Sequence, residues 1–244
     1  FTMITYGTIV SVAVPNVMGT FGVGQDKAQL LATGFYVAMT ISQLVCAWLI
    51  ASIGHYYTYI IATIVFFLAS LLGATADDFS IVITSRVIQG AGAGILLNQT
   101  NIAIVQAYPP QRRAAALIMF TCSTISAMGA GPLLGGLAIE YINWRYIFIA
   151  PLPLLVISFL LGMLVFPKGK QINYLPFDWL GLILLTICLS SLLIALSDGQ
   201  RQGWHSNYII SLFLLSVTSG SFFIHFQINN KVRLLDLSFF SNST

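Results

Sequence analysis

AQLLATGFYVAMTISQLVCAWLIASIGHYYTYIIATIVFFLASLLGATA, residues 28–76, holds no Asp, Glu, Lys or Arg, and His55 is its one basic side chain. The run is 49 residues long, more than twice the ~20 apolar residues a helix needs to cross a bilayer. It must therefore hold two spans. The break falls in ASIGHYY (51–57), where Gly54 is the one punctuating residue. A lone glycine does not force a stop, so the case for a turn there rests on length.

The same economy of charge extends through the chain. Of 244 residues, 57% are hydrophobic and 7% charged, against about 25% charged in a typical soluble domain. Lipid-facing barrel strands would show segments of about ten residues alternating apolar and polar, whereas these segments are apolar nearly all round. The expectation is an all-α, polytopic membrane protein. Turn chemistry at GVGQDK, ADD (76–78), YPPQRR (108–113), INW (142–144), PKGKQINYLP and SDGQRQGWHSN divides the chain into eight spans near 1–20, 29–50, 57–76, 80–106, 112–137, 144–166, 176–197 and 207–228. The first residue, Phe1, already lies in apolar sequence with no charged leader, and LLDLSFFSNST does not look like a finished helix. The chain reads as a fragment.

Basic loop residues set the orientation. One set of alternate loops, with the tail, carries Arg112, Arg113, Lys168, Lys170, Lys231 and Arg233, while the other carries Lys27, Arg145 and Arg201. The first set is expected in the cytoplasm, with both ends inside. The formal charge of +3 is absorbed by this bias, and no basic-aromatic patch for nucleic acid is present. Trp144, Tyr146, Trp179, Trp204 and Tyr208 fall at span ends, as interfacial aromatic anchors should.

Motifs for catalysis are missing. There is no H-E-x-x-H, G-x-S-x-G or phosphate loop. GAGAG (90–94) lies inside a span with no preceding strand, so it does not bind a dinucleotide. Cys46, Cys122 and Cys188 are dispersed without metal or disulfide spacing. No enzyme, cofactor or metal site is expected.

Small and polar residues carry the remaining signal. Gly90 and Gly94 share a helix face, as do Gly131 and Gly135, and each pair lets a neighbouring backbone approach closely. GAGPLLGG (129–136) adds Pro132, which removes a helical hydrogen bond and favours a bend. Asn98 and Asn101 share a face three apart. With Gln43 they either tie spans together through amide hydrogen bonds or line a wet central cavity. No carboxylate lies mid-membrane, although proton pathways commonly need a titrating group there. Arg86 is a cation about seven residues into the fourth span. It must face the bundle interior or snorkel to the interface, because an unpaired guanidinium in hydrocarbon costs about 2.5–3.5 kcal/mol or more.

An ordered set of motifs resembles the major facilitator superfamily, specifically its fourteen-span drug:proton antiporter branch. TIVSVAVP (8–15) is similar to the end of the first-span signature, RVIQGAGAG (86–94) to the fourth-span motif, and YPPQRRAAAL (108–117) to the following loop. GAGPLLGG (129–136) resembles the antiporter motif of span five and WRYIF (144–148) the start of span six. FDWLGLILL (177–185) resembles the first inserted span, and LLDLSFF (234–240) the segment before the second bundle. The resemblance implies a major-facilitator-type six-helix bundle at 1–166, a cytoplasmic linker at 167–175, an inserted helix pair at 176–228, and a cytoplasmic segment at 229–244. That segment would lead to a C-terminal bundle missing from this chain. It also implies a multi-pass protein of the bacterial inner membrane that works by alternating access, with Arg86 in proton coupling and Gly131, Pro132, Gly135 and Gly136 in gating. Its partners would be membrane lipid, protons and a small amphipathic substrate such as a drug or metabolite.

The chain departs from the family pattern in three places. Tyr6 stands where the first span usually has a carboxylate, and Ser11 where it usually has Asn. In the loop after span two, Ala51, Ser52 and His55 replace the charged positions. In the antiporter motif, Ala127 replaces the first glycine. Proton-coupled efflux is the leading expectation. Uptake or exchange without proton coupling, and a non-transporting interaction protein or inactive fragment, remain the alternatives.

Overall fold

A computed structural model describes residues 1–166 and 176–229. All regular elements among them are helical: α1 (Thr2–Phe21), α2 (Gln25–Ala74), α3 (Phe79–Ala107), α4 (Pro110–Tyr141), a 3₁₀ turn (Trp144–Phe148), α5 (Leu152–Val165), α6 (Trp179–Gln202) and α7 (Asn207–Asn229). The linker at 167–175, with Lys168 and Lys170, and residues 230–244, with Lys231 and Arg233, lie outside the described residues.

The charge-free run is a helical hairpin. α2 has 50 residues, and a straight helix of that length would measure about 75 Å. At Gly54 the backbone takes φ 82° and ψ 166°, a region open to glycine and costly for side chains carrying a Cβ. Contacts with α3 show that the chain doubles back there. Arg86 reaches the carbonyl of Leu31, and Gln89, one turn further on, reaches the hydroxyl of Ser70. Counting α2 as two crossings, the seven helices long and apolar enough to span a membrane among the described residues make the eight crossings expected.

The chain divides into two compact units, at residues 1–173 and 174–244. In the first, α3 is wedged between the two arms of α2, and α1 lies against α4. Helix α4 buries a single stripe, Ala127, Gly131, Gly135 and Ala138, whose spacing of three or four residues is that of one helix face. One apolar cluster gathers Ile9, Leu31, Val82, Trp144 and Phe148, and a second gathers Tyr6, Phe35, Tyr59, Phe66 and Leu155. Residues such as Leu68 and Leu164 are largely exposed, as a helical bundle solvated by lipid requires.

Several expected boundaries move. Pro110 does not delay the fifth span to residue 112. It occupies the first turn of α4 after Pro109, where the missing N–H has no helical partner to lose. The sixth span opens as a 3₁₀ turn, and a continuous helix is interrupted where Pro151 and Pro153 lack the N–H groups that would donate to the carbonyls of Ile147 and Ile149. Trp144 is not an interfacial anchor. It is 5% exposed, meets Phe21 edge-on and carries the Arg145 guanidinium over its ring at 4.9 Å. Arg145 also donates to the Ala76 carbonyl at 3.0 Å and pairs with Asp77 at 3.4 Å, drawing this turn onto the start of α3.

In the second unit, α6 continues past the expected stop at 197 to Gln202. Gly199 has no side chain to obstruct the Trp204 ring, which folds back onto it, and the helix ends only at Gly203, with φ 82°. At the other end of this hairpin Asp178 accepts from the Gly181 amide at 2.8 Å and from the side-chain amide of Gln227 at 2.5 Å. The hydroxyl of Ser216 donates to the Cys188 carbonyl at 3.0 Å, joining α6 to α7 along the hairpin.

Candidate functional site

Arg86 faces the interior of the first unit and does not snorkel. It is fully buried at the junction of the two apolar clusters. Its Nε donates to the Leu31 carbonyl at 3.3 Å, and its Nη1 donates to the Tyr6 carbonyl at 3.1 Å and to Gln89 Oε1 at 2.9 Å. The guanidinium lies over the Phe35 ring, 4.2 Å from its centroid. Nη2 is buried with no hydrogen-bond partner among the described residues. Every contact that holds the cation is therefore neutral, and part of its donor capacity is unused.

The glycines after Arg86 explain how α3 fits so closely. A Cβ at Gly90 would strike the Phe35 backbone, and one at Gly94 the Met39 carbonyl and Ser42 hydroxyl. Both belong to the first arm of α2. A Cβ at Gly92 would lie 3.0 Å from the Ala62 carbonyl, on the second arm. Alternate positions on a helix differ by about 200°, so Gly-x-Gly-x-Gly thins both sides of α3. Gly90 and Gly94 stand out in the sequence as a four-residue pair, whereas Gly92 has no such partner and only its two-residue offset places it on the opposite side.

Gln89 also escaped the sequence reading. It is fully buried, accepts from Arg86 and donates to Ser70 at 2.8 Å, linking the cation to the second arm of α2. Its position three residues after Arg86 was the available signal.

The span-five glycines divide by face. Gly131 abuts Thr8 and the Thr5 carbonyl of α1, and Gly135 lies against the Ile9 carbonyl. At Gly129 and Gly136 an added Cβ would meet nothing within 4 Å, and Pro132 is exposed. Close packing of α1 on α4 thus involves Gly131 and Gly135 but neither Pro132 nor Gly136.

The amide side chains serve mainly as ties. Asn98, half-buried, donates to the Gln43 main-chain carbonyl at 2.7 Å, and Gln99, fully buried, donates to the His55 carbonyl at 2.7 Å. Gln43 thus contributes its backbone to this contact, while its side chain and that of Asn101 are half-buried. At the Gly54 turn, His55 Nε2 lies 2.9 Å from Gln106 Oε1 and its ring stacks on Phe166. An imidazole–amide contact and a ring stack hold the turn at the position where the family resemblance implied Asp and Arg.

Tyr6 is the counterpart of the expected first-span carboxylate. Its backbone carbonyl accepts from Arg86, but its hydroxyl turns elsewhere and donates to the Phe148 carbonyl at 3.0 Å. Nearby, a cavity of about 460 Å³ includes Thr2, Tyr59, Thr100, Phe120, Ser123 and Ser158 in its lining.

Eight apolar crossings, six in the first unit and two in the second, define a multi-pass helical membrane protein. The chain belongs to the Major Facilitator Superfamily, whose model matches residues 1–228. It is similar to the multidrug export protein EmrB of Haemophilus influenzae, at 29% identity over 98% of this chain and 48% of that protein. EmrB of Escherichia coli K12 is 30% identical over 99% of this chain and 48% of its own length. The fatty acid resistance protein FarB of Neisseria gonorrhoeae is 28% identical over 96% of this chain and 47% of its length. The chain thus spans about half the length of these relatives. Its fold is also similar to that of an auto-inhibited POT family peptide transporter, with a TM-score of 0.55 at 17% identity, over 93% of this chain and 52% of that one.

Proposed function

We propose that this chain is the N-terminal part of a secondary transporter that exports small amphipathic molecules from a bacterial cytoplasm across the inner membrane, by alternating access. Arg86 carries this reading. Its burial where α1, the first arm of α2 and α3 meet, with no carboxylate partner among the described residues, is a costly arrangement that packing alone does not require. Residues 1–166 form one wall of the substrate cavity, with Gln43, Asn98 and Asn101 near its polar surface. Residues 167–175 are the cytoplasmic linker, 176–228 the inserted pair and 229–244 the segment leading to a second bundle. Gly131 and Gly135 are the contact on which α1 and α4 shift during the cycle, and the protein is a transporter rather than an enzyme.

Proton movement drives export, with Arg86 coupling it to substrate. Tyr6 favours a second reading, exchange without proton coupling, because the acid of the first-span signature is replaced by a phenol engaged with Phe148. Flux of a fluorescent amphiphile in proteoliposomes of the full-length protein separates the two. A flux that follows the imposed pH gradient and collapses with a protonophore supports coupling. Counterflow indifferent to the gradient supports exchange, and the lack of either supports a non-transporting role.

A further inference from the structure

Beside the buried Arg86 lies a recess of about 80 Å³ whose lining includes Met3, Gly7, Phe35, Tyr36, Met39 and Met128, from α1, α2 and α4. Its chemistry is unusual for a bundle surface. Three thioethers and two aromatic rings meet around a glycine, and a Cβ on Gly7 would sit 3.1 Å from Phe35 and 3.3 Å from the Tyr36 hydroxyl. Methionine side chains are pliable and polarizable and favour contact with ring edges. Such a lining accommodates the edge of a flat apolar group, because about 80 Å³ is less than the ~150 Å³ that encloses a whole benzene ring.

The charge beside it is equally specific. Aromatic faces ordinarily attract cations, but one face of Phe35 is already occupied by the Arg86 guanidinium at 4.2 Å. No carboxylate stands close enough along the helices to cancel that charge. Up to residue 166 the acids are Asp26, Asp77, Asp78 and Glu140, all at helix ends. At 1.5 Å per residue, Asp26 is about 13 Å from Phe35 along α2, Asp78 about 12 Å from Arg86 and Glu140 about 18 Å from Met128 along α4. Asp77 is already paired with Arg145. With Tyr6 in place of an acid, the recess has a positive charge against one wall that no carboxylate among the described residues of the first unit cancels.

We propose that this recess is a subsite for the flat apolar part of an organic anion, and that Arg86, acting through the Phe35 ring, turns cations away. The inference rests on the transport reading above but is tested apart from it. Two probes share one ring system and carry opposite charges: pyrenebutyrate and pyrenebutyl-trimethylammonium. Their binding to the full chain in nanodiscs of zwitterionic lipid is followed by fluorescence.

The anion should bind at least about tenfold more tightly, equivalent to about 1.4 kcal/mol. Met39→Ala with Met128→Ala should weaken both probes, and Arg86→Gln should bring the ratio to about one. Tyr6→Asp tests the charge by a second route, cancelling it with Arg86 retained, and serves if Arg86→Gln does not fold. Equal or cation-favouring binding by the wild-type chain overturns the proposal by itself. So does a preference that survives in either folded charge variant. Loss of pyrenebutyrate binding on adding phosphatidylglycerol would assign the site to anionic lipid and overturn the substrate assignment. Intact anion preference in a full-length protein that moves nothing would instead sink the transport reading and leave the subsite standing.

Discussion

The hydroxyl of Tyr6 donates to the main-chain carbonyl of Phe148 at 3.0 Å, across 142 positions of sequence. One residue thus offers its carbonyl to Arg86 and uses its side chain to join the first span to the start of the sixth. The Tyr6→Phe variant keeps the ring and removes the tie. A buried hydrogen bond is worth about 1 kcal/mol net, so the melting temperature should fall by about 2–4 °C. Thermal unfolding in detergent checks this, and an unchanged midpoint would mean the bond contributes nothing.

Gly90 and Gly136 should respond in opposite ways to the same substitution. Gly90→Ala drives a methyl into the Phe35 backbone, which cannot move aside as a flexible side chain could. The cost should reach about 3 kcal/mol, at the upper end for overpacking. Gly136→Ala enters open space and should change stability by no more than about 0.5 kcal/mol. Yield of monodisperse protein and its unfolding midpoint distinguish the two.

Gly131→Leu tests the contact between α1 and α4. The side chain would meet Thr8 and the Thr5 carbonyl, so full-length protein should insert normally but lose most of its flux. Normal flux with normal insertion would show that this contact does not take part in the cycle.

For Arg86, charge alone should not suffice. Its guanidinium serves three acceptors in fixed directions, and a lysine ammonium cannot reproduce that fork. Arg86→Lys should lose gradient-driven flux at least about tenfold, and Arg86→Ala should abolish it. Insertion should survive in both: Arg86→Ala removes the buried cation together with its desolvation cost, and Arg86→Lys keeps a single cation at the same depth. Near-wild-type flux in Arg86→Ala, corrected for inserted protein, would reject the coupling role.

Orientation can be read by labelling. In a background lacking Cys46, Cys122 and Cys188, a cysteine at Gln111 should be shielded from an impermeant thiol reagent added outside, and one at Asp77 should react. The reverse pattern would invert the topology.

The number of crossings was legible because it depends on quantities a sequence displays directly: the length of uncharged runs and the spacing of proline, glycine and charge. The buried side of Arg86 was not, since a cation ten ångströms or so from a helix end satisfies either snorkelling or burial until its neighbours are known. Trp144 misled for a related reason. An aromatic residue at a span end looks like an anchor, and only the fold brings Phe21 and Arg145 onto its faces. Gly131 and Gly136 belong to one motif, yet one touches α1 and the other touches nothing. Helical phase separates their faces, but which face meets a neighbour is decided by tertiary packing. The ties made by Asn98 and Gln99 end on main-chain carbonyls, which have no sequence signature at all.

The turn at Gly54 also bears on how the protein enters the membrane. Between Ala28 and Ala76 no Lys, Arg, Asp or Glu holds that turn on either side during synthesis, so the first arm of α2 has no charged stop at its far end. The two arms are therefore expected to enter the bilayer as a pair and to be locked when the narrow helix α3 arrives between them, which would defer stable integration until residues well beyond the hairpin have left the ribosome. Nascent chains truncated near Ala76 should be extractable with carbonate, whereas those reaching Ala107 should resist it, and stable integration of the shorter chains would show that the hairpin needs no third helix.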